Sequence, residues 1–326
     1  MPLSLTQGGV LMSSLSSSLA FVFPGQGAQA VGMLAELAAA HAVVRATFDE
    51  AAQGAGADLW ELSQHGPADQ LDRTENTQPA LLAASVAVWR VWQQLGGAQP
   101  AQLSGHSLGE YSALVCAGAL SLHDAAALVA ERGRLMQSAV PAGVGAMAAI
   151  IGGDDAQIAA VCAEVAQGQV VAPANFNAPG QLVISGHAEA VDRVLAKLTG
   201  MGVKRAIKLA VSVPSHCGLM REAADRLGER MATMRWQVPT IPVVQNADAR
   251  TYHTVAEICP ALQRQLYQPV RWTECVRVLA AGGATRVAEC GPGKVLSGLL
   301  KRIDKTLATH AIGTPAELDA ARAEWA

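Results

Sequence analysis

A Gly-x-Ser-x-Gly pentapeptide, Gly105-His106-Ser107-Leu108-Gly109, stands between a short apolar run and an Ala/Leu-rich helical pattern. In a strand-turn-helix setting this spacing makes a nucleophile elbow. The glycines permit a tight turn and close packing, so the serine hydroxyl stands exposed at the head of a helix. The same five letters also arise by chance in a chain with 31 glycines. The remaining residues must therefore supply a base, an oxyanion hole and a substrate anchor.

A serine hydroxyl needs a base within hydrogen-bond reach. Of the eight histidines, His41, His65, His123 and His187 fall on helices, caps or loops that read as surface. His253 lies in a polar loop, and the side chain of His106 should point away from Ser107. His216 and His310 remain. His216 opens a helix after Val213-Pro214-Ser215, a place that faces a cleft more often than a core. His310 would suit the chain order of an α/β-hydrolase, serine first and histidine last. A hydrolase sheet has several strands before its elbow, and here only about one is legible. The hydrolase or thioesterase reading is therefore the weaker. Cys217, beside His216, is a poorer nucleophile candidate than Ser107 in its elbow. Arg132 shares a helix face with Leu128 and Met136, and either snorkels to water or anchors an anion. Pro24-Gly25-Gln26-Gly27 lacks the spacing and the Lys-Ser/Thr ending of a phosphate loop. It is either a plain turn or a loop whose freed N–H groups face a ligand.

Several elements must position these groups. Phe21-Val22-Phe23 reads as a strand feeding the glycine loop, and residues 33–53 as a helix. Ala57 to Gln64 is short and mixed, and Thr77-Gln78-Pro79 starts a strongly apolar helix through Leu95, packed against the elbow helix 109–117. Ser121 caps a helix to about Ser138. From Gly145 to residue 212 the order is strand 145–152, helix 154–167, strands 169–177 and 181–187, helix 189–201 and strand 204–212. That β-α-β-β-α-β order is a ferredoxin-like unit. Afterwards Leu219, Met220, Ala223, Leu227 and Met231 repeat at near-helical spacing and should face the core. A core strand 241–246, helices 254–267 and 271–281, strand 286–290, helix 294–303, an edge strand 307–312 and a helical tail complete the chain.

The expected fold class is α/β: a large subdomain with a short, mostly parallel sheet flanked by helices, plus the inserted ferredoxin-like subdomain. The expected division is a flexible leader 1–18, a large catalytic subdomain 19–140 and 212–316, a small subdomain 141–211 and a tail 317–326. The leader has no Lys or Arg to form a signal-peptide n-region. No apolar run reaches the ~18 residues of a membrane span, so no membrane association is expected. A net charge of −3 gives no basic field for nucleic acid. The six cysteines are scattered with no C-x-x-C pair, which argues against zinc and for a reducing cytoplasm.

Phe23-Pro24-Gly25-Gln26-Gly27, Gly105-His106-Ser107-Leu108-Gly109-Glu110-Tyr111, Ala130-Glu131-Arg132-Gly133, Asn175-Phe176-Asn177-Ala178-Pro179-Gly180-Gln181, Val213-Pro214-Ser215-His216 and Gly291-Pro292-Gly293 occur together in one order. In this set the chain resembles the bacterial malonyl-CoA:acyl-carrier-protein transacylases of type II fatty-acid synthesis, over about residues 19–316. The resemblance implies malonyl transfer from malonyl-CoA to the phosphopantetheine thiol of an acidic acyl-carrier protein, without a cofactor or metal. It implies Ser107 as nucleophile and His216 as base in a Ser-His dyad, with the imidazole oriented by the main-chain carbonyl of Gln265. The oxyanion hole falls to the N–H groups of Leu108 and Gln26. Arg132 becomes the partner of the free malonyl carboxylate, since its planar fork matches a carboxylate bidentately. Met136, Gln26, Asn177 and Ser215 are the further residues expected at the substrate. Lys204, Arg205 and Lys208, or Lys301, Arg302 and Lys305, could steer the carrier or simply be solvated charges. Family members are usually monomers. An acyltransferase serving a polyketide synthase would share every one of these motifs.

Overall fold

The run Leu19-Ala20-Phe21-Val22-Phe23 is buried along its whole length, as a strand covered on both faces requires. The computed structural model of the chain describes residues 16–203, 205–211 and 213–325. In it this run belongs to β1 (Ser16–Phe23), at the centre of a six-stranded sheet with β2 (Pro100–Gly105), β7 (Val243–Gln245), β8 (Arg250–Thr251), β9 (Arg286–Glu289) and β10 (Ala308–Ala311). The order is β10-β9-β1-β2-β7-β8. All pairings are parallel except that of β7 with β8. Phe21 and Phe23 belong to the core on one side of the sheet, with Phe21 edge-on to Trp89 and Trp92 of helix 74–94 at 5.4 Å each. Ala20 and Val22 face Trp272, Val276 and Leu300 on the opposite side.

The registers Phe23↔Gly105 and Val22↔Glu289 bring the carboxyl ends of three neighbouring strands together. The loops that follow them are Pro24–Gly27, the Ser107 turn and Gly291–Gly293. In an open parallel sheet, ligands bind in the crevice outside that edge.

A second sheet is formed by β3 (Gly145–Ile151), β4 (Val171–Ala178), β5 (Gln181–His187) and β6 (Arg205–Lys208), in the order β4-β5-β3-β6 and antiparallel throughout. With helices 155–165 and 188–200 packed on it, this is the expected β-α-β-β-α-β unit. It is anchored to the larger sheet's side by Phe176 N–H donating to Val270 O and Val270 N–H to Ala174 O.

Four local expectations change. The helix expected over 33–53 is two, Ala35–Ala40 and Ala42–Ala55, broken where His41 turns extended at φ −137°. The stretch 57–64 contains a true helix, Leu59–His65, because Asp58 caps it by accepting from the Glu61 N–H. The apolar helix begins at Thr74, which leaves Pro79 inside it rather than in its first turn. Ser16–Ser18 belong to β1, not to a leader, while residues 1–15 of that expected leader lie outside the described residues. The tail is helical as expected, Pro315–Trp325, with Leu318, Ala321 and Trp325 buried. The β7–β8 hairpin was not legible, since two residues of strand carry no periodicity. Among the described residues no helix is long and apolar enough to cross a membrane.

Candidate active site

Ser107 sits in the turn between β2 and helix Gly109–Cys116 at φ +53°, the left-handed region. Both flanking glycines are needed for close approach. A Cβ on Gly105 would meet Gly109 C at 2.0 Å, and one on Gly109 would meet Phe23 O at 2.0 Å. The strained residue is gripped on both main-chain groups. Its N–H donates to Asn246 Oδ1 at 2.8 Å, and its carbonyl accepts from Gln265 Nε2 at 2.8 Å.

The side-chain oxygen of Ser107 lies 2.8 Å from His216 Nε2. On the far side of the ring, Nδ1 lies 2.7 Å from the main-chain carbonyl of Gln265. A carbonyl only accepts, so Nδ1 carries the proton and Nε2 keeps its lone pair toward the serine. His216 itself stands at φ +61°, its N–H bonded to Leu266 O. Burial, and then the charge of Arg132, lower its pKa from 6.5 to about 3, so the ring is neutral.

That shift has a consequence for stability. A histidine held neutral in the fold contributes in full above its unfolded pKa of 6.5, and the contribution is lost as pH falls toward 3. In that window unfolding takes up one proton, about 1.4 kcal/mol per pH unit. Replacing His216 by Gln is expected to flatten the fall in urea-unfolding stability between pH 6.5 and 4.5 by about that slope. Equal slopes in the two proteins would mean that the imidazole protonates freely in the fold.

Arg132 is buried at 1% exposure, so the snorkelling alternative is overturned. Helix Leu122–Ser138, capped by Ser121, turns it inward rather than to water. Its Nη1 donates to Gln78 Oε1 at 2.7 Å, and its Nη2 to Gln265 Oε1 at 3.0 Å and Ser107 Oγ at 3.2 Å. Its Nε has no partner among the described residues. A guanidinium so buried and partly unsatisfied calls for an anion.

The N–H groups of Leu108 and Gln26 donate to no group among the described residues. Both residues line the same cleft, of about 930 Å³, as Ser107 and His216. Met136, Asn177 and Ser215 line it too. The Met136 sulfur accepts from Gln78 Nε2, and Asn177 Oδ1 lies 2.8 Å from His106 Nε2. His106 is thereby turned away from Ser107 and against Trp272. Met147, Asn175 and Val183 of the small sheet close the cleft's other wall.

Other candidates fall elsewhere. His310 on edge strand β10 pairs with Glu324 at 2.8 Å and lies edge-on to Trp325. It lines a separate surface depression with Lys294 and Lys301. Cys217 donates its S–H to Pro214 O, and burial raises its thiol pKa. Lys208 pairs with Asp192, and Lys204 lies outside the described residues.

Three residues at the site escaped the sequence reading: Asn246, Gln78 and Glu110. Asn246 ends an apolar strand and gave no sign. Gln78 was legible only as a helix-start residue. Glu110 carried a signal, a lone charge at the head of the apolar helix Gly109–Cys116. Its carboxylate accepts from the Asn246 N–H and from Gln265 Nε2, and burial raises its pKa to about 7.

A family model described as the acyl transferase domain matches residues 20–316. The malonyl CoA-acyl carrier protein transacylase of Salmonella typhimurium is 57% identical over 305 residues, 94% of this chain and 99% of that protein. The crystal structure of malonyl-CoA:acyl carrier protein transacylase from Xanthomonas oryzae pv. oryzae superposes with a TM-score of 0.95 at 62% identity, covering 96% of this chain and 100% of the other. A malonyl-transacylase solved in complex with a type II PKS acyl-carrier protein is 53% identical, with a TM-score of 0.93 and coverage of 94% and 99%.

Proposed function

From the premise that the chain belongs to the acyl transferase domain family, we propose that it transfers malonyl from malonyl-CoA to the phosphopantetheine thiol of an acyl-carrier protein in fatty-acid biosynthesis. The observation that carries this is the buried Arg132 guanidinium with its Nη2 3.2 Å from Ser107 Oγ. A neutral acyl group offers the guanidinium no carboxylate on the side of Ser107, whereas malonyl's free carboxylate supplies one there.

His216 Nε2 takes the hydroxyl proton as Ser107 Oγ attacks the thioester carbonyl. The oxyanion is received by the N–H groups of Leu108 and Gln26, a donor pair of the kind that stabilises such charge strongly. The Gln265 carbonyl holds Nδ1–H and steadies the imidazolium, so no carboxylate completes a triad. Collapse breaks the C–S bond, and the departing CoA sulfur takes the proton back from His216. The malonyl-serine ester is then attacked by the carrier's thiol, whose proton passes through His216 to Ser107 Oγ. No step changes an oxidation state, and every group comes from this chain or its two substrates. Met136, Asn177 and Ser215 shape the cleft around the acyl and pantetheine portions. The walls contributed by both sheets limit water, which would otherwise make the enzyme a thioesterase.

One chain supplies the whole site, so a monomer suffices. The six cysteines are free thiols, which suits a cytoplasmic location. The second reading is a carrier of polyketide synthesis, favoured by the relative solved with a type II PKS acyl-carrier protein. A panel of acyl-CoAs with purified carrier protein, followed for both transfer and hydrolysis, tests the proposal. Malonyl label should be trapped on the Ser107 peptide and absent from Ser107→Ala. Hydrolysis outrunning transfer, or label retained by Ser107→Ala, would sink it.

A further inference from the structure

Glu110 is a buried charge that the acyl-transfer steps leave unused. Two donors converge on its Oε2, the Asn246 N–H at 2.8 Å and Gln265 Nε2 at 3.0 Å. Its Oε1 has no partner among the described residues. A proton on Oε2 would compete with two donors, and a proton on Oε1 would find no acceptor. The geometry therefore accommodates the carboxylate. Burial and the like charge of Asp248 work against ionisation, while the two donors and Arg132 favour it.

The residues that Glu110 holds are those that grip the reacting groups. Asn246 Oδ1 accepts from the Ser107 N–H. Gln265 reaches four ways: its Nε2 to the Ser107 carbonyl and to Glu110, its Oε1 to Arg132, and its main-chain carbonyl to His216 Nδ1. One bridging side chain thus connects Glu110 to nucleophile, base and guanidinium. Resting on the malonyl-transfer reading, we infer that Glu110 is a positioning residue and the buried counter-ion of Arg132. It locks Asn246 and Gln265 around Ser107, and its charge offsets that of Arg132 at the substrate carboxylate and at His216.

Two effects of opposite sense follow when that charge is removed. Arg132, no longer offset, holds the malonyl carboxylate more tightly. His216 becomes harder to protonate, which slows proton transfer from Ser107. Glu110→Gln isolates the charge, because an amide oxygen in place of Oε2 still accepts from both donors while the NH2 takes the place of partnerless Oε1. Assayed above pH 7, Glu110→Gln is expected to lower kcat about tenfold and to lower KM for malonyl-CoA about threefold. KM for acetyl-CoA, which has no carboxylate to offer Arg132, stays put. Loosened packing would instead raise both KM values. Glu110→Ala, which orphans two buried donors, should lose more kcat and some thermal stability. A malonyl-CoA KM that rises or stays unchanged in Glu110→Gln, or an acetyl-CoA KM that falls with it, overturns the inference. Failure of the unaltered chain to use malonyl-CoA overturns the functional reading itself, and this inference with it.

Discussion

His216→Ala is expected to slow malonyl transfer about 10³-fold, in the range a positioned general base supplies. His310→Ala should stay within about twofold, as surface substitutions do. The contrast separates two histidines that the sequence left as rivals. His216 Nε2 lies 2.8 Å from Ser107 Oγ, whereas His310 is engaged by Glu324 on an edge strand. The loss should appear in single-turnover acylation as well as in steady-state transfer, because the same imidazole serves both half-reactions. It should not be repaired by raising pH toward 8. The wild-type ring is already neutral, held by burial well below its ordinary range, so the missing function is the base itself and not its protonation state. Transfer that survives His216→Ala but collapses in His310→Ala would reinstate the hydrolase arrangement.

Arg132→Ala carries the second large effect, on specificity. Truncating one partner of a buried, hydrogen-bonded charge pair typically costs about 2–5 kcal/mol, so kcat/KM for malonyl-CoA should fall by about 30- to 5,000-fold. Acetyl-CoA, which never had a carboxylate to offer, should lose far less or gain. The ratio of acetyl to malonyl transfer is therefore the quantity to measure, with competing acyl-CoAs and one carrier protein. Arg132→Lys should not restore malonyl transfer fully. The native guanidinium serves Gln78 Oε1 from Nη1 while Nη2 serves Gln265 Oε1 and Ser107 Oγ. An ammonium point charge cannot span those acceptors and still meet a carboxylate in a plane. An unchanged acetyl-to-malonyl ratio in Arg132→Ala would remove Arg132 from substrate recognition.

Much of the fold can be read from local pattern. A continuous apolar run means a strand covered on both faces, and Leu19–Phe23 forms the sheet's centre. Ser121 ahead of an amphipathic repeat marks a helix start, and it caps the Asp124 N–H. The elbow's glycines state their own reason, since each sits where a Cβ would strike main chain. The failures are equally physical. His41 breaks a helix without Gly or Pro to announce it, and the final helix is buried because β10 and the helix Ala35–Ala40 are there to receive it.

The elbow that presents Ser107 was thus legible in the sequence alone, because an elbow is a local backbone device whose five residues carry all that it needs. The helix face of Arg132 was likewise local, set by a 3.6-residue period. What that face meets was not. Whether an arginine snorkels or waits for an anion depends on Gln78 and Gln265, which lie 54 and 133 residues away in the chain. The choice of His216 over His310, the grip of Asn246 on a strained Ser107, and the burial of Glu110 beneath them are contacts between distant segments. No local periodicity encodes such pairings, and only the packing of helices and loops at one edge of the larger sheet brought them together.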